Sequence, residues 1–231
     1  LSQARWFDPF GINSLPARAA KGRHEMATGH NAPPAPTARP IFPTITWEIH
    51  LPQLEPHLEE WKAALDHKMA NQEEGIGRST RNGWSGPKTL FDEPLFKPLL
   101  LAAQTHYGQC LGAMGVPKGF RFGMEAWGNI HEYGGYNKLH IHREAVLSGV
   151  FYLSRPEGSG AIVLHDPRPG TLFSRPFGFG ANKWSELRLA PAAGTMLMFP
   201  NWLEHSVEPN LSQERRYSIA INAILPNTPR T

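Results

Sequence analysis

Three short segments of the 231-residue chain hold side chains that could do chemistry. The first reads Asn137-Lys138-Leu139-His140-Ile141-His142-Arg143-Glu144. Residues two apart in a strand share a face. His140, His142 and, if the strand runs on, Glu144 would therefore point the same way. Two or three nitrogen and oxygen donors converging like this suit a first-row divalent metal. The second segment ends in His205, 63 residues beyond His142, after Gly194, an apolar run to Phe199 and the turn at Pro200. A closed double sheet can bring such a residue back beside the first pair. The third is Glu214-Arg215-Arg216-Tyr217-Ser218-Ile219-Ala220-Ile221-Asn222. Alternation places Arg216, Ser218, Ala220 and Asn222 on one face and Tyr217, Ile219 and Ile221 on the other. An arginine on a small or apolar inner face is costly unless an anion meets it. A guanidinium with a hydroxyl beside it suits a carboxylate. Taken singly, each segment has a plain structural alternative: a core or surface histidine pair, a structural histidine, and a rim arginine paired with Glu208 or Glu214.

The elements that must position these residues follow from pattern. Pro33, Pro34, Pro36, Pro40 and Pro43 fall within residues 32–43, which reads as an extended arm. A strand is expected over 44–51, with Trp47 and Ile49 alternating. Leu54, Leu58, Trp61, Leu65 and Met69 recur at helical spacing and predict a helix over 54–72, with Pro56 in its first turn. A glycine-containing polar loop, 73–89, leads to a second helix over 94–113. His106 and Cys110 on that helix read as core filler, not as ligands. From Gly119 the pattern changes to short β-type runs between Gly and Pro turns: 120–133, 138–142, 147–153, 161–165, 184–189, 195–199 and 215–225. Runs of this kind indicate a sandwich or barrel. The expectation is an N-terminal extension and arm over 1–43, then one domain over 44–231, mainly β with α, its two helices packed on a β double layer.

Composition narrows the function classes. Apolar residues make up 40% and charged residues 19%, an ordinary globular balance that excludes global disorder. No apolar run is long enough for a membrane helix. A single cysteine, Cys110, excludes an internal disulfide and a cysteine-based zinc ribbon. The net charge of +3 is mildly basic, but lysine and arginine are not clustered, which argues against a dedicated nucleic-acid binder. Residues 1–25 lack a signal-peptide core and are set aside from the fold. A cytoplasmic protein is expected, acting on a small molecule, with no nucleic-acid or membrane partner.

The three segments gain meaning from their order. His-x-His, an intervening strand, Gly-x₄-Phe-Pro-x₄-His and Arg-x-Ser together resemble the 2-oxoglutarate and Fe(II)-dependent oxygenases. Further stretches are similar to a bacterial and phage subgroup of that superfamily. They are Gly83-Trp84-Ser85, Asn137-x-x-His140-x-His142, Leu147 to Leu153, Asp166-Pro167-Arg168, and Phe199-Pro200-x-Trp202 through His205, Val207 and Pro209-Asn210. The resemblance covers about residues 41–226. It implies a double-stranded β-helix, or jelly roll, with Fe(II) and 2-oxoglutarate as cofactors and O₂ as a reactant. It also implies hydroxylation of a substrate C–H bond, with succinate and CO₂ released. In that family an Arg or Lys lies roughly ten residues after the distal histidine. Arg216, two before Ser218, takes that role here, and the pair would hold the far carboxylate of 2-oxoglutarate.

The superfamily's second metal ligand is usually Asp or Glu. One alignment puts His142 there and makes the ligands His140, His142 and His205. The other makes His142 the first ligand and Glu144 the carboxylate, restoring the usual two-histidine, one-carboxylate triad. Arg168 is a candidate for an acidic group on the substrate, with an ion pair to Asp166 as the plain alternative. A reading from another class is a cupin-like metal-binding protein, or a dioxygenase with a three-histidine site that needs no keto acid. Arg216-x-Ser218 argues against it, because such a protein has no use for a buried carboxylate clamp. A third reading is an inactive scaffold whose histidines are structural.

Overall fold

Periodicity divides the chain into a helical half and a strand-rich half, and the computed structural model keeps that order while moving several boundaries. The described residues are 42–73, 77, 79–117, 119–169 and 185–225. The proline arm expected at 32–43 lies outside them except for its last two residues. β1 is Trp47–His50. The first helix begins as a 3₁₀ turn, Pro52–His57, with Pro56 inside it, and continues as α1, Leu58–Ala70. β2 is Thr80–Ser85, inside the segment expected to be loop. It buries only Trp84, so its sequence has no alternating apolar pattern to reveal it. A 3₁₀ turn at Pro94–Phe96 leads into α2, Lys97–Ala113.

The strand half holds β3 (Gly123–His140), β4 (Ala145–Ser154), β5 (Ile162–His165), β6 (Glu186–Leu189), β7 (Thr195–Pro200), β8 (His205–Val207) and β9 (Arg216–Ile224). The two strands expected at 120–133 and 138–142 are one 18-residue strand, β3. Gly134 and Gly135 read as a turn, but the strand runs through them, Gly134 by a left-handed φ and Gly135 by close approach. A side chain on Gly135 would meet the Asn82 carbonyl at 2.5 Å, and Gly134, at φ 78°, donates its N–H to the Asn210 carbonyl.

The strands order as β1-β7-β4-β9-β3-β8-β5-β6, with β2 on β3. The named strand pairs are antiparallel. β3 joins the two halves of this curled sheet. Residues 123–131 pair with β9, and Asn137 and His140 pair with β8. The result is the jelly-roll architecture with two bracing helices. No described helix is long and apolar enough to cross a membrane.

Alternation builds two cores. One face of the β1-β7-β4-β9-β3 half carries Met196, Met198, Phe151, Ile219, Ile221, Ala126 and Ile130, and it packs with Trp61 and Leu65 of α1 and Leu99, Ala103 and Tyr107 of α2. The other face of β7 sends Leu197 and Phe199 to Ile162, Leu164 and Leu203, so the sheet closes over itself. Six consecutive buried residues make β7 the shared wall of both cores. Tyr107 ties α2 to the sheet through a buried hydrogen bond from its hydroxyl to the Ile221 carbonyl, 2.9 Å. Tyr107→Phe removes that bond alone and should lower the unfolding free energy by about 1 kcal/mol in urea titration. An unchanged midpoint and slope would mean that the bond does not help hold β9.

Candidate metal centre

His140 ends β3 and lies directly opposite His205, the first residue of β8. His142 is not on the strand. It sits in the turn before β4, its N–H bonded to the Asn201 carbonyl and its own carbonyl accepting from Ala145 N–H. The three still converge. Their ring centroids are 4.2 Å (His140–His205), 5.0 Å (His142–His205) and 5.1 Å (His140–His142) apart. One nitrogen from each lies within 4.8 Å of the others. Glu144 is exposed in the turn and stands outside this group.

Each imidazole already has its Nδ1 engaged. His140 meets the Lys138 carbonyl at 2.7 Å, His205 the Leu203 carbonyl at 2.9 Å, and His142 the Asn222 Oδ1 at 2.8 Å. An oxygen acceptor at Nδ1 places the proton there and leaves Nε2 with its lone pair, the tautomer a metal ligand needs. Burial keeps all three neutral. It lowers the pKa of His140, takes His142 down to about 4, and holds His205 well below the usual imidazole range, helped there by the other two rings. Three neutral nitrogen donors, oriented before any ion arrives, fit a first-row divalent metal such as Fe(II).

On β9 the expected alternation holds. Tyr217, Ile219 and Ile221 enter the helix-side core. Arg215 points outward to Asp66 and Glu132, at 3.0 and 2.7 Å. Arg216 points inward and is 1% exposed. Its Nη1 donates to the backbone carbonyls of Ser159 and Glu208, and its Nη2 has no partner. Among the described residues no carboxylate pairs with it; the Glu208 side chain is taken by Arg188. Burial pulls the Arg216 pKa down to about 10. Facing it across the ladder is His131, 2% exposed, with no hydrogen bond to either ring nitrogen. Burial, then the Arg216 charge, drive His131 down to about 3, against weaker opposing pulls from Asn137 and the Tyr136 backbone. The Ser159 hydroxyl is also buried and unpartnered. A cation with unused donors, walled by neutral polar groups, is a fitting seat for the carboxylate of 2-oxoglutarate.

Several residues here escaped the sequence reading. Tyr152 lies opposite Ser218 and shares its inner face; Asn129 does the same from β3. His131 carries no motif of its own; what marks it is Arg216 across the ladder, far away in sequence. Arg168 takes the plain alternative expected for it, pairing with Asp166 at the side chain and through its N–H.

The family described as "Putative 2OG-Fe(II) oxygenase" matches residues 125–222. That span runs from β3 into β9 and contains the three histidines, Arg216 and Ser218. The chain is similar in structure to a Pseudomonas putida prolyl-4-hydroxylase, with 16% identity and a TM-score of 0.58 over 80% of this chain and 94% of that one. It is similar to HygX from Streptomyces hygroscopicus, solved with nickel and 2-oxoglutarate bound, with 12% identity and a TM-score of 0.55 over 79% and 83% of the two chains. It is also similar to a prolyl hydroxylase from Trichoplax adhaerens, solved with a peptide fragment of hypoxia-inducible factor, with 14% identity and a TM-score of 0.54 over 78% and 83%. No curated protein matches the sequence. At these identities the structural likeness speaks for the fold, and the family match speaks for the class. Residues 125–222, less than half of the chain, match that family, which is 2-oxoglutarate- and Fe(II)-dependent.

A buried cation without an anion is a poor stabiliser, and its two carbonyl bonds only partly offset its desolvation. Arg216→Met should therefore leave the ligand-free protein within about 1 kcal/mol of the parent, or more stable, in urea unfolding. A loss of several kcal/mol would mean that the guanidinium serves the fold.

Proposed function

We propose that the protein is a 2-oxoglutarate-dependent hydroxylase in which His140, His142 and His205 hold Fe(II), and Arg216 with Ser218 holds the far carboxylate of 2-oxoglutarate. The observation that carries this reading is the buried, unpaired guanidinium on the same inner face as three imidazoles with oriented Nε2 atoms. A metal-binding protein with no keto acid would have no need for it, which weighs against the cupin-like reading. An inactive scaffold would gain nothing from either feature.

When bound, Fe(II) with 2-oxoglutarate and O₂ supplies oxidising power, converting a substrate C–H to C–OH as 2-oxoglutarate becomes succinate and CO₂. The chain's own residues do the rest. Arg216 and Ser218 anchor the cosubstrate at one end, so that its keto acid end faces the histidines. Tyr152, Asn129 and His131 line the seat and keep water out of it. Phe199, whose ring centroid is 4.7 Å from that of His205, walls the apolar side of the metal position. The acceptor is proposed to be a small molecule. The buried free thiol of Cys110 fits the cytoplasm as its compartment.

Anaerobic titration of the Fe(II)-loaded protein with 2-oxoglutarate, and succinate formation in air, test this reading. His140→Ala, His142→Ala and His205→Ala should each lose metal, and full metal occupancy in His205→Ala would overturn the site. Arg216→Ala should weaken 2-oxoglutarate binding by about 2–5 kcal/mol, as for a buried charge losing its partner. Ser218→Ala should cost roughly 1–2 kcal/mol, the worth of one buried hydrogen bond. Metal binding should survive both. Arg215→Ala should change little. Abolished binding in Arg215→Ala with intact binding in Arg216→Ala would reverse the assignment of the two faces of β9.

A further inference from the structure

His142 is held differently from the other two imidazoles. His140 and His205 lie opposite each other on paired strands, and each bonds the carbonyl two residues before it. His142 is past the end of β3, and the partner of its Nδ1 is the side chain of Asn222, 80 residues away in sequence. Asn222 is 2% exposed, and its Nδ2 donates to Glu125 Oε1 at 3.0 Å. Glu125 and Asn222 face each other across the β3–β9 ladder. Lys88 closes on the same Oε1 at 2.6 Å and lies 5.3 Å from the ring centre of Trp127, which in turn flanks His142 at 5.6 Å.

The chemistry of this chain allows one arrangement. A carboxylate paired with an ammonium accepts hydrogen bonds and does not donate. The amide nitrogen of Asn222 must therefore face Glu125, and its oxygen must face His142. His142 then carries its proton on Nδ1 and presents Nε2 to the metal position. We infer that Glu125 and Asn222 are positioning residues for His142: Glu125 fixes the amide of Asn222, and Asn222 fixes the tautomer and tilt of the imidazole. They make a histidine on a turn serviceable where the superfamily's usual pattern has Asp or Glu. They also return a carboxylate to that side of the site, two hydrogen bonds removed from the ligand atom. The inference rests on the three-histidine metal site proposed above.

Cobalt(II) titration of the metal-stripped protein tests it, reading both affinity and the visible ligand-field bands. Asn222→Leu keeps the side-chain size and removes both hydrogen bonds. It should weaken Co(II) binding about 10- to 100-fold, the usual cost of losing a partner of a ligating histidine, and shift the bands. The double change Glu125→Gln with Asn222→Asp reverses one bond and keeps the relay to the imidazole: the new amide donates to the new carboxylate, which still accepts from His142, while Lys88, half exposed, gives up its acceptor and turns to solvent. It should restore affinity close to the parent's. Parent-like affinity and bands in Asn222→Leu would overturn the inference. So would equal loss in the double variant, because Asn222 would then serve packing alone. If Asn222→Leu does not fold, Glu125→Ala takes its place: weakened binding with shifted bands is expected, and parent-like behaviour overturns the inference. His205→Ala separates the two layers of the argument. Undiminished Co(II) binding there overturns the metal site itself, whereas loss there beside parent-like Asn222→Leu overturns only the positioning role.

Discussion

The pairing of β3 with β9 is the constraint on which the rest depends. It runs without a break from Gly123↔Ile224 to His131↔Arg216. Because side chains alternate, a slip of one residue would turn Arg216, Ser218 and Asn222 into the helix-side core and expose Tyr217, Ile219 and Ile221 to the inner face. The register is held from the apolar side. Ala126, Ile130, Ile219 and Ile221 fit beneath α1 and α2. Leu65 fills the space over Gly128, where a side chain would collide with its Cδ2. The polar site is thus placed by hydrophobic packing on the opposite face of the same strands, and the helices brace those strands from that side.

On the inner face, burial and polarity conflict. His131, Arg216 and Ser159 hold buried polar atoms with no partner, each costing free energy in the ligand-free protein. These three lie toward one end of the inner face; Ser148, opposite Asn222 on the side of the imidazoles, also has a buried hydroxyl without a partner. Among the described residues the carboxylate on this face of β3, Glu125, is already bound to Lys88 and Asn222. The interior is therefore short of anions. The dicarboxylate keto acid proposed above would supply what is missing, one end to the guanidinium and the other to the metal position. Places where a fold leaves buried groups unsatisfied are where function overrides local consistency.

Much of this was legible in the sequence because two periodicities are strong. The helical spacing of Trp61 and Leu65, and of Leu99, Ala103 and Tyr107, marks α1 and α2. Strict alternation on β9 separates Arg216 and Ser218 from Tyr217 and Ile219. The histidines were legible by spacing, but for a partly wrong reason. His140 and His142 were expected side by side on a strand, whereas the strand ends at His140 and a turn anchored on Asn201 brings His142 round. β2 was illegible because pairing with β3, and not its own pattern, makes it a strand. Gly134-Gly135 misled because glycine has two uses, tight turns and close backbone approach, and a sequence does not say which. His131 and Glu125 were hidden for a general reason: their importance lies in cross-strand neighbours about 85 to 97 residues away, which no local window contains.

The departure from the usual ligand set has an electrostatic consequence. Two histidines and a carboxylate leave a divalent ion at +1, whereas three neutral imidazoles leave it at +2. With Arg216 on the same inner face, the proposed site would then hold more positive charge than the common arrangement, which would favour a dianionic cosubstrate. Coulomb energy falls as the inverse of distance, so a carboxylate moved from the coordination sphere to the far side of an amide still acts, but less strongly. Glu125 is that carboxylate, and Lys88 screens part of its charge from the solvent side, where its own side chain is 50% exposed. The β3–β9 pairing thus fixes more than geometry. By setting Glu125 opposite Asn222, it decides how much negative charge would reach the proposed three-histidine centre.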